Sequence, residues 1–200
     1  MEQPSGPSAE TMCGSVCLLS DRPELSDQVF ALLQQQWPIH DATRRRGLAP
    51  HSAHDRVLLL SSLSPDVIGH AQLKWVTEEA GATAVGMVVS VVVHPAWRRR
   101  HVGRQLMDAV EAIASRRHHH RTTTLYLWTA DQERFFGRVG YTKCPPFEGS
   151  RSGLLGKTAA VGLARLLHAK LAQTSASRGD DIETSSHGDT WMRKMLEPTH

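Results

Sequence analysis

The sequence is poor in several things that would narrow its class. Three cysteines in 200 residues, Cys13, Cys17 and Cys144, are too few for a disulfide framework. Cys13 and Cys17 have CxxxC spacing, which is not the redox CxxC spacing. No apolar run approaches the 18 or more residues of a membrane span. The first residues, MEQPSGPSAETMCGS, lack the basic and then apolar plan of a secretory signal. These absences predict a soluble, cytoplasmic protein with neither a membrane nor a metal at its centre. A large charge of one sign is missing too. Lys plus Arg is 23 and Asp plus Glu is 20, a formal net charge of +3. The chain has no zinc finger, and its basic runs fall at turns without interleaved aromatics, so nucleic acid is not an expected partner.

What is present is a core and a pattern. Apolar residues are 40% and charged residues 22%, which excludes a wholly disordered chain. Residues 1–15 read as a flexible tail and 16–200 as a single domain, with a flexible loop at 173–189. Val16–Leu19 reads as a short strand. Ser26 stands where it can cap a helix whose face is Val29, Leu32, Leu33 and Trp37, and Pro38 ends it. Residues 39–55, with Arg44, Arg45 and Arg46 among them, carry no apolar period and read as a polar turn. Val57–Leu60 and Val67–Val76 read as strands, and residues 78–83 as a hairpin loop.

Val85–Val93 is the clearest strand. MVVSVVVHP is β-branched and nearly uncharged, the pattern of a strand buried on both faces. A helix follows, with Val102, Leu106, Val110 and Ile113 at spacings of four, four and three. Thr122–Thr129 is another strand, 131–138 a short helix ended by Gly140, and Tyr141–Cys144 a further strand. An amphipathic helix over 154–171 and a last strand at 191–196 complete the reading. The fold class is α/β, a mixed central sheet with flanking helices.

Residues 91–113, VVVHPAWRRRHVGRQLMDAVEAI, carry the chemistry. A buried strand gives way to a basic turn and then to a helix start, whose free amides bind anions. Arg98, Arg99, Arg100 and Arg104 add positive charge. Gly103 permits close approach of backbone to a ligand. A phosphate or pyrophosphate fits such a turn; a merely solvated basic turn is the plainer alternative.

Here the chain resembles the GCN5-related N-acetyltransferase superfamily. Its signature, Arg/Gln-x-x-Gly-x-Gly/Ala, falls on Arg98-Arg99-Arg100-His101-Val102-Gly103, with His101 where the first glycine is usual. A second motif, Phe-Tyr-x-x-x-Gly-Phe/Tyr, falls on Phe135, Phe136, Gly140 and Tyr141, with Phe136 replacing the tyrosine. The resemblance implies acetyl-coenzyme A as cosubstrate, with no metal. Its pyrophosphate would lie on amides of Arg99, Arg100, His101, Val102, Gly103 and Arg104, with Arg98 and Phe136 beside the cofactor. Its pantetheine arm would pair with the backbone of Val91, Val92 and Val93. A primary amine would attack directly in a ternary complex.

The resemblance does not supply the usual acid and base. Phe136 cannot protonate a thiolate, and Ser90 stands where a glutamate is common. His70 and His94 are the nearest titratable candidates for a base, with a structural role the plainer reading of each, and Ser90 could orient a water. Further likeness lies in Leu32–Pro38, Gly69-His70-Ala71-Gln72-Leu73, Asp131-Gln132 and Trp191-Met192-Arg193-Lys194. It is similar to those members that act on the acidic N-terminus of processed actin. Trp37, Arg44, Arg45, Arg46 and Lys74 would then meet an acidic peptide. The alternatives are a lysine or small-molecule amine acetyltransferase, and a silent acyl-coenzyme A binding domain.

Overall fold

A computed structural model describes residues 14–76, 83–147 and 190–198. Residues 78–82 of the predicted hairpin loop, the helix over 154–171, the loop at 173–189 and most of the amino-terminal tail lie outside the described residues, while Thr83 already belongs to a strand. Seven strands form one sheet in the order β1-β2-β3-β4-β5-β7-β6. The strands are β1 (Val16–Leu18), β2 (His54–Leu60), β3 (Val67–Trp75), β4 (Thr83–Val93), β5 (Thr122–Thr129), β6 (Thr142–Lys143) and β7 (Thr190–Leu196). The helices are α1 (Ser26–Gln36), α2 (Asp41–Leu48), α3 (Val102–Arg117) and α4 (Glu133–Arg138). Among the described residues no helix is long and apolar enough to cross a membrane.

Two compact units divide the chain, residues 1–125 with 195–200, and residues 126–194. In the first, β1 to β4 are joined antiparallel in sequence order. Directly opposed residues of an antiparallel pair share a face, so the register sorts the side chains. Leu58, Leu60 and Val92 lie under α1 and α2, in a core with Val29, Leu32, Leu33 and Leu48. The other face lies under α3: a Cβ on Gly69 would sit 3.4 Å from the Leu106 side chain. The predicted helix spacing places Val102, Leu106, Val110 and Ile113 in the buried stripe of α3.

The structure corrects three local expectations. Residues 41–48 are not part of a turn but form α2, so Arg44, Arg45 and Arg46 stand on a helix. Ser26 is the first residue of α1, which follows a 3-10 turn at Pro23–Leu25, and it makes no capping bond. The strand expected over 141–144 is only Thr142–Lys143.

In the second unit β6 pairs antiparallel with β7, Thr142 opposite Arg193. Gly140 has φ +94°, a value that favours glycine. The Lys194 ammonium donates to the Val139 carbonyl at 2.8 Å and so covers the end of α4.

Candidate functional site

β4 does not run straight. His70 faces Val92 and Gln72 faces Val89, so β4 has one residue more than β3 between those pairs. That is a β-bulge, and Ser90 within it has φ +54°. A bulge leaves strand backbone unpaired at its extra residue. The interruption falls beside Val91, Val92 and Val93, where the family resemblance would put a pantetheine arm.

β4 leads through a 3-10 turn, Pro95–Trp97, into residues 98–101. Arg99 (φ +62°) and His101 (φ +61°) are both left-handed. Residues of alternating hand turn their amides toward one concavity, a nest for anions. α3 begins immediately after, with His101 at its N-cap making no side-chain cap and no acid in the first turn. The amides of Val102, Gly103 and Arg104 therefore have no helical partner. His101 thus keeps the backbone a glycine would supply, at a cost of about 1–2 kcal/mol for an L-residue. We expect His101→Gly to raise stability by about 0.5–1 kcal/mol. A lower urea midpoint for that variant would contradict the left-handed turn.

Arg98 does not extend over this nest. Its Nε donates to the Val93 carbonyl at 3.1 Å and its Nη2 to Gln36 Oε1 at 2.6 Å. It joins the end of β4 to the end of α1. Arg99, Arg100 and Arg104 are exposed, with Arg100 over the Trp97 ring and Arg104 4.0 Å from Asp108.

The face under α1 and α2 changes character along the strands. Beyond the apolar Leu58 and Leu60 it carries His54 and Arg56 on β2, and His70, Gln72 and Lys74 on β3, paired across the register. Arg44 from α2 reaches toward the same face. Its Nη2 donates to the carbonyls of Leu33 (3.3 Å) and Trp37, which end α1. Arg56 Nη2 donates to Gly47 O at 2.7 Å and Ala49 O at 2.9 Å, at the end of α2. Two guanidinium groups thus cap two helix C-termini, where cations are favoured.

Burial pushes the pKa of Arg44, Arg56 and Lys74 down, and for Lys74 the Arg56 charge adds to it. Among the described residues none of the three pairs with a carboxylate. The adjacent acid, Asp55, is turned to the other face. There it takes both 3.1 Å bonds from Arg117 Nη1 and one of 2.6 Å from Trp75 Nε1. Arg56 Nε, His54 Nδ1 and His70 Nε2 are buried with no hydrogen-bond partner. Buried polar atoms are ordinarily satisfied, and three orphans on one cationic face mark a place where something polar fits. Arg56 and His54 escape sequence reasoning; the one signal was an arginine inside the apolar strand HDRVLLL.

The other expected peptide contacts do not gather there. Arg45 pairs with Asp27 at 3.0 Å and lies over Phe30, and Arg46 is exposed. Trp37 is half-buried against the α1–α2 core.

His70 is fully buried (0% exposed). Its Nδ1 donates to the Ser90 carbonyl at 3.1 Å. Burial drives its pKa down to about 4; the Ser90 bond opposes this, and the Arg56 and Arg44 charges add to it. The unfolded chain binds a proton on this ring near pH 6.5, where the native chain does not. Stability is therefore full above about pH 6.5 and falls as the pH drops toward 4, by about 3 kcal/mol for this group. His54, also lowered to about 4, is partly exposed and adds less. Urea midpoints from pH 7 to 4 should show the slope, and His70→Asn should remove most of it. An equal slope in both proteins would contradict this.

In the second unit Phe136 is buried, 5.0 Å from Phe135 and 6.1 Å from Tyr141 between ring centres. It packs as an apolar ring with no proton to give.

A bulged strand, a left-handed basic turn and a helix start together suit an acyltransferase that takes its acyl group from coenzyme A. The acetyltransferase (GNAT) family model matches residues 23–141, and the chain belongs to that family. It is similar to mouse N-alpha-acetyltransferase 80, 36% identical over 135 residues, 64% of this chain and 41% of the mouse protein. The matched region thus spans less than half of that relative. Among solved structures, an aminoglycoside 6'-N-acetyltransferase complexed with coenzyme A is 15% identical. Its TM-score is 0.57, covering 93% of this chain and 99% of that one. Tetrahymena GCN5 is 13% identical with a TM-score of 0.57, covering 93% and 98%. At those identities the likeness shows the fold.

Proposed function

We propose that this acetyltransferase moves the acetyl group of acetyl-coenzyme A to the α-amine of an acidic protein N-terminus, such as that of processed actin. One observation carries the reading: Arg56 and Lys74 share a sheet face, Arg44 approaches it from α2, and all three are partly desolvated with no carboxylate partner among the described residues. A desolvated cation gains most from an anionic partner, and each charge-assisted bond is worth about 1.5–3 kcal/mol. The similarity to a mouse N-alpha-acetyltransferase supports an α-amine rather than a side-chain amine. A cytoplasmic location belongs to the same proposal.

Acetyl-coenzyme A supplies an acetyl thioester when bound. The nest from Arg99 to Arg104 would hold its pyrophosphate, and the backbone of Val91–Val93 its pantetheine arm. Lys74, Arg44 and Arg56 orient the acidic peptide. Holding the amine against the acyl carbon in a ternary complex supplies much of the rate. His70 is poorly suited to be the base: it is buried, and its pKa is far from neutrality, where a base works best.

The test is a steady-state comparison of peptides beginning with Asp or Glu against those beginning with Met or Ser, with internal lysines and arylamines included. We expect the acidic set to have the highest kcat/KM. Preference for lysines or arylamines would replace this reading with a side-chain or small-molecule one. The buried, hydroxyl-free Phe136 favours a second reading, coenzyme A binding without turnover. Calorimetric binding with no transfer to any amine would support it.

A further inference from the structure

We infer that His70 is a positioning residue: its Nδ1–H bond to the Ser90 carbonyl latches β4 in the bulge that opens strand backbone to the cosubstrate. The inference rests on the proposed function in taking that bulge as the pantetheine site.

The extra residue in β4 is not self-sustaining. Ser90 is a non-glycine residue at φ +54°, a conformation that costs about 1–2 kcal/mol. The strand around it, MVVSVVV, is apolar but for Ser90 itself and has no alternating pattern, so the pattern does not fix the register. A slip of one residue would exchange the two faces of β4. Something outside β4 must hold the bulge at Ser90. His70 is the side chain that does so, at 3.1 Å across the neighbouring strand. It stands opposite Val92, where the register resumes.

The cost of keeping an imidazole there is visible. His70 has 0% exposure, and its Nε2 has no partner. An apolar side chain would fill the space without an orphaned nitrogen. What it would lack is a directed donor for a carbonyl turned out of the ladder. The Ser90 carbonyl can only accept, so the proton is on Nδ1 and the Nε2 lone pair is bare. That is the less common tautomer of a neutral histidine, and it gives the latch a signature of its own.

The wild-type protein is examined first, by nitrogen-15 NMR of its histidine rings. The expected result is a neutral His70 protonated on Nδ1; protonation on Nε2 would overturn the latch. His70→Asn, whose amide can place a donor near the Nδ1 position, is compared with His70→Ala. In calorimetry with coenzyme A, Ala should weaken binding about tenfold, as for one lost hydrogen bond, and Asn should restore most of it. Amide exchange at Val89–Val93 should quicken in Ala and not in Asn. In turnover, the Ala effect should fall on the KM for acetyl-coenzyme A, with the shape of the kcat–pH profile kept. Loss of kcat in both variants, with a lost limb of that profile, would make His70 the base and overturn the latch. Coenzyme A binding and the NMR signature need no acceptor amine. A protein that shows both yet acetylates nothing would end the proposed function while leaving the latch intact.

Discussion

Lys74→Glu is expected to lower kcat/KM on an acidic N-terminal peptide by about 100-fold, with the acetyl-coenzyme A KM little changed. Lys74 is half-buried on β3, opposite His54 and in the field of Arg56. Losing one charge-assisted bond costs about 1.5–3 kcal/mol, and a facing carboxylate adds repulsion. About 2.7 kcal/mol corresponds to 100-fold in rate. Lys74→Gln removes the charge alone and should cost about tenfold, while a peptide beginning with neutral residues should change little in either variant. The measurement is kcat/KM for paired acidic and neutral peptides. Equal losses on both would show that Lys74 supports the fold and not the choice of peptide. Arg44 is a poorer probe, because its bonds to Leu33 and Trp37 carbonyls also hold α2 against α1.

The largest effect on stability should come from Leu106→Ala. Leu106 is fully buried in the middle of the α3 stripe and packs close to Gly69 on β3. A close-packed interior cannot fill the space, so the variant loses both the transfer energy and the contacts around the cavity. A loss of about 3 kcal/mol is expected, which lowers Tm by about 10 °C in a chain of this size. Calorimetry checks it. A drop below about 2 °C would mean that α3 is not anchored on β3 as described. The helix carries the nest at its start, so the same variant should weaken coenzyme A binding only as far as α3 shifts.

How far the sequence foretold these features depends on what each rests upon. α3 was legible to its first residue because its apolar stripe recurs at four, four and three, and burial follows that stripe. β5 was legible from its own run, Thr122–Thr129. α2 was not, because Asp41–Leu48 buries one residue, Leu48, and so has no period to read. What holds it are long-range bonds: Arg44 to the end of α1, and Arg56 from β2 to Gly47 and Ala49. The register slip in β4 was equally hidden, since a uniform valine run looks the same in any register. Its one clue was Ser90, the polar residue that interrupts the run.

The site divides along the same line. The basic turn proposed for the pyrophosphate was readable as a local motif, and His101, which stands where the motif has glycine, adopts a left-handed backbone. Arg98 belongs to the motif, yet its guanidinium is spent on Val93 and Gln36. The cationic face was half visible. Arg44 and Lys74 were named from sequence, but Arg56 joins them only through strand pairing. Arg45 turned out to be paired with Asp27, an ion pair 18 residues apart that no local pattern reveals.

The most direct test of the central claim uses one acidic peptide in two forms. One has a free α-amine and its internal lysine blocked; the other has the α-amine blocked and the lysine free. Each is incubated with the protein and acetyl-coenzyme A, and the acetylated position is read by tandem mass spectrometry. Acetyl on the α-amine of the first peptide, with the second left unmodified, is the predicted result. Acetyl on the lysine of the second, with the first left unmodified, would contradict it.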